Sequence, residues 1–196
     1  MAQTTAAAPD VTAPKISLLE ETLAAARRDP QFVTPKGEPV RRRLTAGVMI
    51  RPIPTHVDER GSLSELFDPR WAWHADPLVF AYTFTIRPGI VKGWNLHREH
   101  EDRYVIIQGE MNLVFFDPRE ESPTFGEVCT ITLSGRQRCA INVPIDVWHA
   151  DHNIGDTEVV AINFPTKAYD HANPDKYRLP IDTPLIPYSF GDAKGY

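Results

Sequence analysis

Two polar segments of the sequence carry histidine residues of the kind that acid–base chemistry or metal binding requires. Residues 93–103 read GWNLHREHEDR and contain His97 and Asp102. Residues 144–153 read PIDVWHADHN and contain His149. A histidine side chain titrates near neutral pH, and its neutral ring can also ligate a metal ion. These two segments are therefore the first candidates for a reactive site.

The two segments resemble the two sequence motifs of the cupin superfamily, whose members are jelly-roll barrels with both motifs at one mouth. Asn95 stands where a metal-binding cupin would have the first histidine of a close pair. The histidine of each segment and Asp102 could still supply two imidazoles and a carboxylate, the usual number of protein ligands at a catalytic metal. Because the close pair is missing, we expect no metal and no other cofactor. We place His100 and His152 on exposed loops.

From about residue 46, short apolar segments alternate with turn signals. The apolar segments, rich in Val, Ile, Phe and Tyr, span 48–52, 79–87, 103–108, 111–116, 128–133, 139–143 and 158–164. Turn sequences such as Arg-Pro-Gly at 87–89 and Gln-Gly-Glu at 108–110 separate them. Many short strands without intervening helices predict an antiparallel sandwich or barrel. The predicted fold class is therefore all-β.

Proline-rich arms flank this predicted β-core. Proline accounts for 18 of the 196 residues, and an interior proline costs about 3 kcal/mol in a helix, which excludes a helical bundle. One short helix is predicted over 17–28, where Ser17 and Glu20 fit a capping box and Asp29-Pro30 ends the helix. Residues 165–196 are predicted to wrap around the β-core as an extended segment.

The predicted organisation has three parts. An N-terminal arm spans 1–45, a cupin jelly-roll domain spans 46–188 and a C-terminal tail spans 189–196. Residues 1–15 are expected to be mobile, and the run Arg41-Arg42-Arg43 is expected to be a solvated connector.

A longer stretch carries a more specific resemblance. Residues 58–67 read DERGSLSELF and residues 117–126 read DPREESPTFG. They are similar to the D-x-R-G-x-x-x-E-x-F and D-x-R-x-x-S-P-T-F-G segments of the dTDP-4-dehydrorhamnose 3,5-epimerase family. Asn95-Leu96-His97 stands at that family's R-G-L-H, and the His149 segment is similar to its I-P-x-G-x-A-H-G-F. The resemblance extends from about residue 47 to 188.

The resemblance implies metal-free epimerisation of a 4-keto-6-deoxyhexose carried on a nucleoside diphosphate. A base removes a proton next to the keto group, a cation holds the enolate oxygen, and an acid on the opposite face returns a proton. By position, the family implies His97 as the base and Asp182 as the carboxylate that orients it. Arg103 falls where the family places a Lys, as the cation, and Tyr169 falls at the position of the acid.

The resemblance also implies a set of binding residues. Arg60 would meet a diphosphate oxygen and Glu65 the nucleobase. Arg119 is a further candidate, and His149 would lie at the edge of the pocket. Trp94 stands where the family has a phosphate-binding Arg, which puts the identity of the nucleotide in question.

Three other functions stay open from the sequence. The chain could be an epimerase that acts at a single carbon (C3 or C5) or on another nucleotide sugar. It could be a metal-dependent cupin isomerase or dioxygenase. It could also be a non-catalytic cupin that binds a sugar. The family resemblance further implies a homodimer.

Composition excludes several classes of partner. The formal net charge of −5 argues against non-specific nucleic-acid binding. No apolar run approaches the roughly 20 residues of a membrane span, and the N-terminal sequence lacks the pattern of a secretory signal. Cys129 and Cys139 are the only cysteines and lack C-x-x-C spacing. We therefore expect a cytoplasmic protein whose partners are a small nucleotide sugar and a second copy of itself.

Overall fold

A computed structural model of the chain describes residues 17–37 and 43–196. The chain divides into two units, 1–42 and 43–196. The expectations for residues 1–15 and for Arg41-Arg42 lie outside the described residues.

The first unit contains helix α1 (Leu18–Ala25). The predicted capping box is confirmed: Ser17 Oγ accepts a hydrogen bond from the Glu20 amide at 3.2 Å, and the Ser17 amide donates to Glu20 Oε2 at 3.0 Å. The helix ends at Ala25, three residues before the predicted end, and Ala26 is extended. Asp29 precedes a proline, which disfavours the helical conformation, so little is gained by continuing the helix towards it.

The second unit is built from short strands and one 3-10 turn (Pro69–Trp71). The strands are β1 (Ile50–Pro52), β2 (His56–Asp58), β3 (Gly61–Leu63), β4 (Tyr82–Ile86), β5 (Ile90–Leu96), β6 (Asp102–Gln108), β7 (Glu110–Phe116), β8 (Val128–Ser134), β9 (Cys139–Val143), β10 (Trp148–Asn153), β11 (Val159–Asn163), β12 (Tyr177–Arg178) and β13 (Lys194–Gly195).

The strands form two larger sheets and a separate hairpin. The five-stranded sheet has the order β1-β9-β6-β11-β4, and the six-stranded sheet has the order β12-β5-β10-β7-β8 with β13 also paired to β5. Apolar side chains from both sheets, including Ile86, Phe115 and Ile141, share one buried core. Within residues 17–37 and 43–196, strands β2 and β3 pair only with each other. The prediction of an all-β jelly roll with a short N-terminal helix is confirmed.

Two neighbouring strands, β5 and β10, were not among the predicted strands. They lie side by side, with His149 opposite Asn95 and Asp151 opposite Lys92. Polar residues on one face of each strand interrupt the apolar alternation that indicates a strand. These two strands contain parts of the two histidine segments, so polar residues that conceal the strands also contribute to the site.

The proline-rich C-terminal segment covers the outer face of the six-stranded sheet, as predicted. Trp94 is fully buried there. Its ring packs edge-on against Tyr188, with ring centroids 6.2 Å apart, and in a tilted arrangement against Phe190 at 5.3 Å. Strand β12 pairs with β5 antiparallel and β13 pairs with it in parallel. The last residues of the chain therefore contribute to the same sheet as the site. No helix among the described residues is long and apolar enough to cross a bilayer.

Candidate active site

Two adjoining cavities lie at one end of the jelly roll. The interior cavity, of about 310 Å³, is lined from β4, β5, β6, β10 and β12. The mouth cavity, of about 110 Å³, is lined by the loop after β5 and by residues 165–176. Tyr82, His97 and Lys176 line both cavities, so the two meet at these side chains. The volume of the interior cavity is at the lower end of the range of small-molecule sites.

His97 directly follows β5 and is held in a fixed orientation. Its side chain is almost fully buried. Nδ1 lies 2.5 Å from the backbone oxygen of Asp175, and Nε2 lies 3.2 Å from Oδ2 of Asp102. A carbonyl oxygen can only accept a hydrogen bond, so Nδ1 carries a proton. Nε2 is therefore the nitrogen that faces the Asp102 carboxylate.

Asp102 is the buried carboxylate at the centre of the site. Tyr104 donates its hydroxyl proton to Oδ2 at 2.9 Å, and Asn163 Nδ2 donates to Oδ1 at 2.6 Å. Burial alone would raise the pKa of Asp102, but the hydrogen bonds from His100 and His97 hold it well below its ordinary value. Asp102 is therefore a fixed negative charge beside His97.

His100 belongs to this cluster, and the expectation of an exposed loop histidine is wrong. Its ring lies 4.2 Å from that of His97, and its Nδ1 is 2.9 Å from Oδ2 of Asp175. Burial opposes ionisation, but the hydrogen bond and charge of Asp102, together with Asp175, raise the pKa of His100 above its ordinary value. His152 is not on a loop either: it lies in β10 with its ring against Phe190.

His149 lies behind Asp102 and not at the pocket edge, which corrects its predicted contact with substrate. The side chain is fully buried, with Nε2 3.7 Å from Oδ2 of Asp102 and 3.4 Å from the hydroxyl of Tyr104. Burial, and then repulsion by His97, lowers the pKa of His149 to about 3. The neutral ring packs against the side chains of Asp102 and Tyr104.

Arg103 points away from both cavities, which corrects its predicted role as the enolate-stabilising cation. Side chains alternate along a strand, so Asp102 and Tyr104 face the interior while Arg103 faces the other side of β6. Its guanidinium donates to four backbone carbonyls, those of Phe164, Asp76, Pro77 and Pro165. Arg103 therefore holds loops together on the outer face of the sheet.

Asp182 does not orient His97, which corrects a further prediction. It is exposed in a turn that the Thr183 amide closes on the carbonyl of Pro180. Both ring nitrogens of His97 already face other groups, the Asp175 carbonyl and the Asp102 carboxylate. Asp102 thus has the position beside the imidazole that the sequence assigned to Asp182.

Tyr169 lies in the mouth cavity together with His97. Its side chain is 45% exposed and its ring meets that of His171 edge-on at 4.9 Å. A second phenol, Tyr82, lines both cavities and accepts a hydrogen bond from Asn163 Nδ2 at 2.8 Å. Burial, and the charge of Asp102, raise the pKa of Tyr82 well above its ordinary value, so this hydroxyl stays protonated.

The interior cavity contains polar residues that the sequence reading missed. Asn95 and Asp151 are both buried, and each has an Oδ1 without a hydrogen-bond partner among the described residues. Burial, reinforced by the charge of Asp102, raises the pKa of Asp151 to about 8. The alternation along β10 could have revealed Asp151, because it lies two residues after His149. Unpaired buried acceptors are costly, so this cavity suits a ligand with hydroxyl groups.

Comparison with known proteins gives the family. The sequence model of the polysaccharide biosynthesis C-terminal domain matches residues 56–177. The chain belongs to this family. Over 137 residues, this chain is 37% identical to the probable low-salt glycan biosynthesis epimerase Agl13 of Haloferax volcanii. The match covers 69% of this chain and 87% of the relative.

Solved structures confirm the fold of this polysaccharide biosynthesis domain. A dTDP sugar isomerase from Desulfovibrio desulfuricans superposes with a TM-score of 0.70 at 23% identity, covering 78% of this chain and 98% of that one. The dTDP-6-deoxy-D-glucose-3,5-epimerase RmlC of Legionella pneumophila, in complex with dTDP-4-keto-L-rhamnose, gives 0.64 at 19% identity, covering 75% and 81%. The chain therefore has the jelly-roll fold of the dTDP-4-dehydrorhamnose 3,5-epimerases and related cupins.

The SPTFG segment of this domain is a structural loop, which corrects the predicted binding role of Arg119. The carboxylate of Asp117 accepts hydrogen bonds from Arg119, from Ser122 Oγ at 2.5 Å and from Thr124 Oγ1 at 2.6 Å. Arg119 also donates to the carbonyl of Ala46 at 2.7 Å. Its guanidinium is thus used to close the loop.

Arg60 and Glu65 are not brought together with His97 within this chain. Arg60 lies in the turn of the β2–β3 hairpin, pairs with Asp58 at 2.5 Å and is 81% exposed. Glu65 is exposed just after the hairpin. Neither residue lines the interior or the mouth cavity, so their role in binding remains a prediction.

A second set of donors could hold a metal ion. The ligand atoms of His97, His100 and Asp102 all lie within 4.8 Å of one another. Two imidazoles and a carboxylate match the donor preferences of Zn²⁺, Fe²⁺ or Mn²⁺. His100 takes the place in this set that the sequence gave to His149.

Proposed function

We propose that this protein is an epimerase of nucleoside-diphosphate 4-keto-6-deoxyhexoses. The observation that carries the proposal is the arrangement of His97, which lies where two cavities meet with its Nε2 beside the anionic Asp102. A relative named as a glycan biosynthesis epimerase and similar structures named as dTDP-sugar isomerases and epimerases support the same reaction class.

The first step is proton removal by His97. The keto group acidifies the C–H bonds next to it, and neutral imidazole is a suitable base near neutral pH. Nδ1 is occupied by the Asp175 carbonyl, so Nε2 accepts the proton after it exchanges its contact with Asp102 for the C–H bond of the sugar. The imidazolium that forms is stabilised by Asp102 at 3.2 Å.

The second step is return of a proton on the other face of the sugar. Tyr169 shares the mouth cavity with His97 and is the proposed acid. Exchange at one carbon or at both distinguishes a mono-epimerase from a 3,5-epimerase. We further propose that the substrate has the rhamnose configuration and that the protein assembles into a homodimer.

The test is solvent exchange followed by NMR. The purified protein is incubated with dTDP-4-keto-6-deoxyglucose in deuterated water, and the C3 and C5 hydrogens are monitored. We expect deuterium at one or both carbons, loss of exchange in His97→Gln and unchanged exchange in the control His152→Gln. His152 is a suitable control because it packs on the outer face, against Phe190. Binding without exchange at either carbon would indicate a non-catalytic sugar-binding cupin.

A second candidate function is metal-dependent cupin chemistry, which the His97, His100 and Asp102 cluster favours. A bound transition metal would act there as a Lewis acid. Elemental analysis of the purified protein separates the two functions. A stoichiometric metal that is lost in His100→Gln, with exchange lost on chelation, would favour the metal enzyme. Full exchange by chelator-treated protein would favour the metal-free epimerase.

The expected cytoplasmic location also remains a proposal. Its support is the low cysteine content, with Cys129 and Cys139 as the only two cysteines of the sequence, as is usual for a reducing compartment.

A further inference from the structure

The interior cavity must provide a positive charge if an enolate forms there. Arg103 cannot supply it, because its guanidinium is on the other side of β6. The cations that line the interior cavity are Lys92, Lys176 and Arg178. Of these, Lys176 is the one that also lines the mouth cavity with His97.

Strand pairing places Lys176 beside His97. In the antiparallel ladder between β12 and β5, Tyr177 is opposite Leu96 and Arg178 is opposite Asn95. One step further along this register, Lys176 is opposite His97, and opposed residues of an antiparallel pair point to the same side. The exposed Tyr177 points to the other side, in agreement with this alternation.

The residue before Lys176 anchors the backbone at this point. The carboxylate of Asp175 accepts hydrogen bonds from the amides of Arg98 at 2.9 Å and Glu99 at 2.8 Å. Its carbonyl accepts from His97 Nδ1. The same peptide group that orients the imidazole therefore also fixes the start of the Lys176 side chain.

The ammonium of Lys176 is uncommitted. No hydrogen bond or ion pair engages it among the described residues, whereas Lys167 pairs with Glu99 at 3.5 Å and Arg178 donates to the Tyr196 carbonyl at 3.4 Å. Burial, and then repulsion by Arg178, lowers the pKa of Lys176, while Asp102 and Asp151 favour its charged form. A cation near Asp102 that has no fixed partner can bind a new anion at small reorganisation cost.

We propose that Lys176 is the catalytic residue that holds the C4 oxygen of the substrate as it becomes an enolate oxygen. The inference rests on the proposed epimerase function. His97 Nε2 takes the proton from the carbon beside C4, the C–H electron pair forms a carbon–carbon double bond, and the carbonyl π pair moves onto oxygen. Lys176 donates a hydrogen bond to that oxygen and keeps its proton. The electron flow reverses when the acid returns a proton to carbon.

Lys176→Met tests the role of the charge. We expect its rate of deuterium exchange into dTDP-4-keto-6-deoxyglucose to fall by about 100- to 1,000-fold, the usual effect of removing one oxyanion donor. Binding of dTDP, measured by calorimetry, should change by less than about threefold, because the ammonium acts at the sugar and not at the diphosphate. Lys176→Arg should recover at least a tenth of the wild-type rate, since it restores a cation.

Lys194→Met is the matched control, because Lys194 is exposed on β13 and lines neither cavity. It should exchange at the wild-type rate. Wild-type exchange in Lys176→Met, equal loss in Lys176→Arg, or an equal loss of dTDP affinity would each overturn the assignment while leaving the epimerase intact. Absence of exchange in the wild-type protein would instead overturn the proposed function, and the inference with it.

Discussion

Asp102 is the residue on which the site depends most directly. Its carboxylate is within 3.7 Å of the ring nitrogens of His97, His100 and His149, and it also accepts from Tyr104 and Asn163. The sequence suggested Asp102 only as a possible metal ligand, whereas the structure shows that its carboxylate lies against three imidazole rings. A buried charge with this many partners is costly to leave unpaired, so these partners have to be considered together.

Asp151 gives a prediction about pH. Its pKa is about 8 in the folded protein, against an ordinary value of 3.8 for an aspartate side chain. Between these values the native state holds a proton that the unfolded state has lost, so Asp151 makes stability fall as the pH rises through this window. The variant Asp151→Asn has no carboxyl group to titrate, so its stability lacks this dependence on pH. Its stability advantage over wild type should grow by up to about 4 kcal/mol between pH 5 and pH 8.

The measurement for Asp151→Asn is urea unfolding of chelator-treated protein at the two pH values. An advantage of the same size at pH 5 and pH 8 would contradict the raised pKa.

Arg103 gives a prediction about stability. Its predicted catalytic role failed because a shift of one residue along a strand moves a side chain to the opposite face, and a motif match cannot fix the register to one residue. Arg103→Met leaves four backbone carbonyls without their donor and should lower the free energy of unfolding by about 3 kcal/mol. Arg136→Met is the control, because the Arg136 side chain is 90% exposed.

Denaturant titration of both variants measures the difference. Unchanged stability in Arg103→Met, combined with complete loss of deuterium exchange, would indicate that Arg103 takes part in the reaction.

At the scale of the element, the apolar strands could be predicted and the strands of the site could not. Strands such as β7, β8 and β9 have an apolar face in the core between the sheets. Strands β5 and β10 direct Lys92, Asn95 and Asp151 into a cavity instead. Hydrophobic periodicity measures burial against apolar neighbours, so it fails where a sheet faces a polar site.

Gly93 gives a prediction about the contact between these two strands. Its φ is +152°, and a Cβ there would lie 2.5 Å from the Cβ of Ala150 and 2.9 Å from the His149 carbonyl oxygen. Gly93→Ala must push β5 away from β10, which should cost about 3 kcal/mol of stability. It should also slow exchange, because Asp151 and Asn95 line the cavity from these strands.

Gly126→Ala is the matched control for Gly93→Ala. Gly126 also has positive φ, at +72°, but a Cβ would meet nothing within 4 Å, so only the conformational cost of about 1 kcal/mol applies. Thermal unfolding and exchange rates compare the two variants. Equal losses in both would show that close approach of the strands is unimportant.

At the scale of the whole molecule, the jelly roll could be predicted from the sequence. The sequence also suggested that His97 and Tyr169 act at the same site, and both line the mouth cavity. It did not predict that the segment before β12 would place Lys176 and the Asp175 carbonyl at His97. That contact joins residues 78 positions apart, and only the pairing of β12 with β5 brings them together. A chain-order motif contains no information about such pairing.

The β2–β3 hairpin bears on assembly. It pairs with no other strand among the described residues, and Val57 and Leu63 on it are 77% and 61% exposed. An isolated two-stranded hairpin is marginally stable in water, so we expect it to pack against a second copy of the chain. We expect Arg60 in its turn then to reach the cavity of the second copy.

Mixing one impaired and one inactive variant tests this arrangement. Arg60→Ala should lose about 10- to 100-fold of the exchange rate, since a charge-assisted contact to the diphosphate is lost, and His97→Gln should be inactive. If Arg60 acts across a two-fold interface, the heterodimer has one site with both residues intact. An equal mixture, unfolded and refolded together, should therefore recover about a quarter of the wild-type rate. Recovery no greater than the average of the separate variants would show that Arg60 serves its own chain or no site at all. Val57→Asp, measured by sedimentation velocity, should convert the dimer to monomer and abolish the recovery.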